Sequence, residues 1–220
     1  MNPDAEHSEV QTQPMKVVCF DFGGVLVRIS RSWEEACDKA GIDPSQIQLP
    51  DMNMLIASGN AAEFQRGEIE FETFIDREAR RLNSQITPAQ LKRVHSSWLI
   101  DEEPEIAALI RRLNQTGLIT ASLSNTDAEH WKTLREMESI KNLTILGLSF
   151  ELGMLKPDVE IYQEAELLFD ACGSSILFFD DLPANVQAAS QCGWNAILID
   201  PMKPAIDQIQ RGLEAFGIII

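Results

Sequence analysis

The stretch Val17-Val18-Cys19-Phe20-Asp21-Phe22-Gly23-Gly24-Val25-Leu26 opens with four apolar, β-prone residues and closes on a carboxylate followed by a pair of glycines. An apolar run this short reads as a strand buried on both faces of a parallel sheet. Four comparable runs lie far downstream: Leu118–Ser124, Leu143–Ser149, Ile176–Asp180 and Asn195–Asp200. Helix-like segments at Pro104–Gln115, Asp127–Glu138, Pro157–Phe169 and Ala184–Gln191 alternate with them, and a last one at Pro204–Phe216 closes the chain. One helix per crossover is the pattern of parallel strands, so the fold class is α/β with a central parallel sheet.

Between the first run and the second, no strand is expected for roughly ninety residues. Helical periodicity fills that interval at Trp33–Ala40, Met52–Gln65, Phe71–Leu82 and Pro88–Leu99. So long an insertion reads as a small helical domain over 28–102, set upon an α/β core formed by 15–27 and 103–220. The chain leaves the core just after the first strand, which places the insertion over the carboxyl edge of the sheet, where open α/β sheets bind ligands. Residues 1–14 are polar and aperiodic and read as a loose arm.

Thirty-four acidic residues against eighteen basic ones give a formal net charge of −16. That field repels nucleic acid and anionic membranes, so neither is an expected partner. An anionic substrate would need local compensation, most simply from a bound cation. The four cysteines form no CxxC pair and the three histidines are dispersed, which leaves no zinc pattern. The first residues lack the basic and apolar regions of an export signal, and no apolar stretch approaches the length of a membrane span. The expectation is a cytoplasmic protein, monomeric or homodimeric.

Strand ends carry the chemistry in such sheets. Asp21 suits a nucleophile or a metal ligand, with Gly23 and Gly24 letting backbone approach a ligand; it could equally cap a turn. Ser124 and Asn125 stand where a hydroxyl and an amide can donate to phosphoryl oxygens beside free backbone N–H groups, although Ser, Asn, Thr and Asp are also ordinary N-cap residues. Lys156 precedes Pro157, a residue suited to the first position of a helix, which would fix the lysine beside the sheet edge. Asp180 and Asp181 follow an apolar strand, where adjacent carboxylates are costly unless a cation lies between them and Asp21. Mg2+ fits such a set of oxygens.

The order Asp21, Ser124, Lys156, Asp180-Asp181 resembles the four motifs of the haloacid dehalogenase (HAD) superfamily of hydrolases, and the helical insertion resembles its C1-type cap. Gly153-Met154-Leu155-Lys156-Pro157-Asp158 with Ile161-Tyr162, then Phe178-Phe179-Asp180-Asp181 and Asn185, is similar to the subfamily IA branch with a paired-Asp fourth motif, which includes bacterial sugar-phosphate phosphatases. The resemblance spans about Lys16 to Asp200. It implies a HAD-like Rossmannoid three-layer sandwich and a Mg2+-dependent phosphomonoester hydrolase acting on a small phosphorylated metabolite, sugar phosphates included. It implies Asp21 as the nucleophile that becomes an aspartyl-phosphate. Asp21, Asp180, Asp181 and the Gly23 carbonyl would hold Mg2+, Ser124 and Asn125 would bind the phosphate, and Lys156 would bind phosphate and offset its charge.

Gly23 departs from that pattern, because family phosphatases usually carry there a second Asp that protonates the leaving group. Its loss costs about 10²–10⁴ in rate. Three outcomes stay open: a substrate with a good leaving group, another carboxylate or a metal-bound water in the role, or a catalytically weak binder of a metabolite or protein. A haloacid-dehalogenase-type hydrolase also uses Asp and Lys, but its metal-free site has no use for Asp180-Asp181. In the insertion, Phe64, Ile69, Phe71 and Phe74 read as core and Arg66 as solvated. Trp98 is a candidate to face the substrate, whereas Trp131, Trp194, His95 and His130 read as packing or surface residues.

Overall fold

The computed structural model describes residues 14–46, 59–82 and 85–220; the arm expected over 1–14 lies outside them except for Pro14. Strand β1 (Val17–Phe20) is buried at every position, and a tight turn leads into a second strand, β2 (Val27–Ile29). Among the described residues four α-helices follow: α1 (Trp33–Lys39), α2 (Gly59–Gln65), α3 (Phe71–Arg81) and α4 (Pro88–Ser96). The Ser32 side chain accepts from the backbone of Glu35 to start α1. Thr87 and Gln90 form a reciprocal capping box at α4, with Pro88 in its first turn. Residues 52–58 of the expected second helix lie outside the described residues.

The chain returns through β3 (Leu99–Glu102) to α5 (Ile106–Gln115) and β4 (Ile119–Ser124). Then come α6 (Ala128–Leu134), α7 (Glu138–Lys141), β5 (Ile145–Leu148), α8 (Ser149–Leu152) and α9 (Val159–Phe169). Last are β6 (Ile176–Asp180), α10 (Pro183–Gln191), β7 (Asn195–Leu198) and α11 (Ala205–Ala215).

The main sheet has the order β5-β4-β1-β6-β7, with every pair parallel. One face buries Val18 and Phe20 against Ile106, Ile110 and Leu113 of α5 and Ile209 and Leu213 of α11. The other buries Val17, Cys19 and Phe178 against Ile161, Tyr162 and Phe169 of α9 and Ala188 and Ala189 of α10. Helices on both faces explain why these strands are continuously apolar rather than alternating. Because β1 lies between β4 and β6, the connections diverge at its carboxyl end and open a crevice there.

Three expectations need correction. The interval between the first two sheet strands is not free of strands: β2 and β3 pair antiparallel, Val27 opposite Glu102 and Arg28 opposite Asp101. Three and four residues are too few to show a period of two. The helix expected over Asp127–Glu138 stops at Leu134 and a separate turn begins at Glu138. Pro157 does not open the next helix, which starts at Val159, so something else fixes Lys156.

The insertion has its own core, in which Ala36 and Cys37 of α1 meet Ile75 and Ala79 of α3 and Leu91 and Val94 of α4. Its two crossings to the sheet are zipped together by the ribbon. Glu103 N donates to Leu26 O at 2.9 Å and Ser30 N donates to Trp98 O at 2.9 Å.

Candidate active site

Asp21 follows the last residue of β1, and its backbone N–H continues the ladder to Phe179 O at 2.9 Å. Register alone therefore sets it beside Asp180, the last residue of β6. Gly24 has φ +73°, and a Cβ there would come within 2.4 Å of an Asp181 oxygen. Only glycine lets the turn after β1 pass this close to the second acid. Oxygens of Asp21, Asp180 and Asp181 lie within 4.8 Å of one another.

Lys156 holds the acids together from beneath. It is 3% exposed, with Nζ 3.0 Å from Asp21 Oδ1 and 2.6 Å from Asp180 Oδ2. Asn125 positions it in the way expected of Pro157: the Asn125 amide donates to Lys156 O at 2.8 Å and accepts from Lys156 N at 2.9 Å. Oδ1 and one Nδ2 proton of Asn125 thus serve the Lys156 backbone, and Asn125 also lines the cavity beside Asp21. Asp180 is fully buried and accepts from Leu182 N, Asn185 Nδ2 and Lys156 Nζ. Tyr162 in turn donates to Asn185 O at 3.0 Å, extending this network to α9.

Burial pushes the Asp21 carboxyl up; Lys156 pulls it down, Asp180 and Asp181 push it further, and the Ser124 hydroxyl favours its ionised form, with a result of about 6. Burial also raises Asp181, opposed by Arg31, whose guanidinium donates to Asp181 Oδ2 at 2.9 Å. Burial disfavours the Lys156 ammonium, but Asp180 and Asp21 outweigh it and hold its pKa above the ordinary lysine value. Three carboxylates thus face two cations.

Gly23, Ser124, Asn125, Lys156 and Asp181 line one cavity with Asp21; Asp180 lies below it. Arg31, which no motif marked, lines it too. Arg66, read as solvated, pairs with Asp158 at 3.3 Å across the junction between insertion and core. Ser149 joins the same junction, its hydroxyl 2.8 Å from Gln65 O.

His95 and His130 meet there as well. Asp127 caps α6 through Glu129 N and His130 N, while its other oxygen lies 2.9 Å from His130 Nδ1 and 3.3 Å from His95 Nε2. His130 Nε2 faces His95 O at 2.8 Å, and a carbonyl only accepts, so this nitrogen carries a proton. A carboxylate faces its other nitrogen, which makes His130 an imidazolium. The His95 ring stacks on it, centroids 3.8 Å apart and planes within 5°. Only Asp127 and His130, three residues apart, left a local signal; His95 comes from a distant helix.

This triad predicts a pH dependence. Burial disfavours the His130 charge, but Asp127 outweighs it and raises its pKa, while burial and the His130 charge lower that of His95. His130 contributes stability fully below the ordinary histidine value of about 6.5 and loses it as pH rises through its raised pKa. His95 withdraws stability as pH falls past about 6.5, where the unfolded chain takes a proton that the folded residue resists. Asp127, held below the ordinary carboxylate range by both histidines despite burial, keeps its contribution well into acid. Stability from the junction thus peaks near pH 6.5. His130→Ala is expected to lower the Tm by roughly 5 °C there and to remove the alkaline decline. Thermal melts across pH 5–9 check this, and an unchanged alkaline limb would contradict it.

The sequence profile of the haloacid dehalogenase-like hydrolases matches residues 15–193. The sesquiterpene phosphatase astK of Aspergillus oryzae is 27% identical over 180 residues, covering 81% of this chain and 86% of the relative. Rat (Rattus norvegicus) bifunctional epoxide hydrolase 2 is 25% identical over 90% of this chain, which spans only 38% of that longer protein. A HAD family enzyme of Bacteroides thetaiotaomicron, solved in complex with magnesium and inorganic phosphate, superposes with a TM-score of 0.71 at 21% identity, covering 86% of this chain and 96% of that one. Among the described residues no helix is long and apolar enough to cross a membrane.

Proposed function

Because the chain belongs to the haloacid dehalogenase-like hydrolases, we propose that it is a Mg2+-dependent phosphomonoester hydrolase acting on a small phosphorylated metabolite through an aspartyl-phosphate at Asp21. The observation that carries this reading is the convergence of Asp21, Asp180 and Asp181 around two cations, Lys156 and Arg31, which cannot neutralise all three. Asp21 Oδ1 is buried without a well-formed hydrogen bond, its ion pair with Lys156 apart. A hard divalent cation suits that donor set. The astK relative and the magnesium and phosphate complex of the Bacteroides enzyme support the same reading.

Asp21, Asp181 and the Gly23 carbonyl are the groups proposed to hold Mg2+. Asp180, already occupied by Leu182, Asn185 and Lys156, belongs to the set mainly by holding Lys156. When bound, the ion neutralises phosphoryl oxygens and the nucleophile. The Asp21 carboxylate attacks phosphorus while the bond to the leaving oxygen breaks and its electron pair departs with that oxygen. Lys156 stays charged and offsets phosphoryl charge, and Ser124 donates to a phosphoryl oxygen. Water then cleaves the acyl phosphate, restoring Asp21 and releasing phosphate.

The general-acid position lacks its acid and is narrowed by Ile29. A Cβ on Gly23 would lie 3.1 Å from Ile29 Cδ1, so an apolar methyl group stands beside the space where a second Asp would enter. Gly23→Asp alone is expected to change the rate less than tenfold, while Gly23→Asp with Ile29→Ala raises kcat on alkyl phosphates by roughly 10² and leaves aryl phosphates nearly unchanged. Steady-state kinetics on the two ester classes check this; an equal gain on both would contradict it. The proposal itself is tested by phosphate release from sugar, alkyl and activated aryl phosphates with and without Mg2+. Halide release from a haloacid without metal, and no phosphate release, would overturn it.

A further inference from the structure

We infer that the group esterified to the phosphate is a bulky apolar one, aromatic or alkenyl, of roughly ten carbon atoms or more. This rests on the phosphatase reading and names the part of the substrate that reading leaves open. The cavity above Asp21 measures about 630 Å3, far more than a phosphate requires and within the range that encloses a small organic ligand.

The character of its walls decides what fills the remainder. The ribbon contributes Val27 and Ile29, and the helical insertion contributes Trp33, Phe64, Phe74 and Trp98. Polar side chains occur among these walls, and several of the charged ones are already paired within the protein. Arg66 is paired with Asp158. Glu78, 2% exposed, accepts from Arg81 and from Asn60 at 2.8 Å. His95 Nε2 is engaged by Asp127, and its buried Nδ1, which has no hydrogen-bond partner among the described residues, is a single polar atom on an otherwise largely apolar wall. A sugar placed here would exchange water for hydroxyls facing carbon, at about 1–3 kcal/mol for each unsatisfied group. An apolar group instead gains about 25 cal/mol for each Å2 it removes from water.

The missing acid at Gly23 points the same way. With the Ile29 methyl beside Gly23, the departing oxygen meets carbon where other chemistry would place a proton donor. An aryl or enol oxygen leaves as a stable anion and does not need that proton; a saturated sugar hydroxyl does. Shape and leaving-group chemistry thus converge on an apolar phenol or enol. The sugar phosphates implied by the subfamily resemblance lack both properties.

The test is a series in which apolar area changes and leaving group does not. Phosphate release from phenyl, 1-naphthyl and 4-biphenylyl phosphate is measured with Mg2+, beside glucose 1-phosphate and glucose 6-phosphate. The expected result is a kcat/KM that rises about tenfold from phenyl to naphthyl, chiefly through KM, and hexose phosphates at least 10²-fold below naphthyl phosphate. Equal values across the aryl series, or preference for a hexose phosphate, overturns the inference while the phosphatase reading stands. No phosphate release from any ester overturns the phosphatase reading, and the inference with it. Tryptophan fluorescence gives a readout without turnover. In the Asp21→Asn variant, 1-naphthyl phosphate should perturb emission, reporting on Trp33 and Trp98, at concentrations about tenfold below phenyl phosphate. Equal concentrations for the two also count against the inference.

Discussion

Asp21→Asn is expected to abolish Mg2+-dependent phosphate release, by roughly 10⁴-fold or more, and at the same time to raise the thermal stability of the metal-free protein. The second effect follows from the electrostatics. Burial, with Asp180 and Asp181, raises the Asp21 pKa to about 6 despite Lys156. A carboxyl raised above its unfolded value of about 4 contributes stability fully below that value and loses it as pH rises through its folded value. Wild type therefore carries a penalty above pH 6 that asparagine does not. In EDTA at pH 7.5 the variant should melt roughly 5 °C higher, and the gap should close as pH falls toward 4. Mg2+ should narrow it at neutral pH by stabilising wild type. Melts of both proteins with EDTA and with Mg2+ check this; a variant less stable than metal-free wild type at pH 7.5 would contradict the assignment of charge in the site.

Lys156→Met carries the opposite sign. The ammonium is the shared partner of Asp21 and Asp180, at 3.0 and 2.6 Å, and its removal leaves two buried carboxylates facing each other. Breaking a buried ion pair from one side costs about 3–5 kcal/mol. The loss should be largest at neutral pH and smaller near pH 4–5, where a carboxyl escapes by taking a proton. Mg2+ should restore part of the stability but not the activity, which is expected to remain down by roughly 10²–10³ because charge at the phosphoryl oxygens goes uncompensated. Chemical denaturation at two pH values, with and without Mg2+, separates these contributions. A variant as stable as wild type at pH 7.5 would remove Lys156 from the centre of the network.

The five sheet strands were legible because each is an apolar run flanked by a helix of the right length, and strand-end position then singled out Asp21, Ser124 and the Asp180-Asp181 pair, whereas Lys156 reaches them from beyond β5 and α8. What escaped was either short or non-local. The β2–β3 ribbon is too brief to show alternation, and Val27-Arg28-Ile29 resembles the end of a loop. Asn125 was legible as a polar residue at a strand end, but its bonds to the Lys156 backbone depend on a partner thirty-one positions away. Arg31 on Asp181 and His95 on Asp127 likewise join distant segments, and no spacing within one element announces them. The narrowed acid position was visible only in part: Gly23 was plain in the sequence, but the Ile29 methyl beside it comes from the ribbon, which the sequence pattern had hidden.

That ribbon bears on how such a protein can be remodelled. Both strands joining sheet and insertion run side by side, bonded from Leu26–Glu103 to Ser30–Trp98. A single hairpin turn grafted across Ser30 and Trp98 would bridge the gap without disturbing the sheet. The roof over the nucleophile is in this sense an interchangeable cartridge, mounted on a two-stranded stem, and a replacement would have to resupply the Arg31 partner of Asp181 and the His95 partner of Asp127.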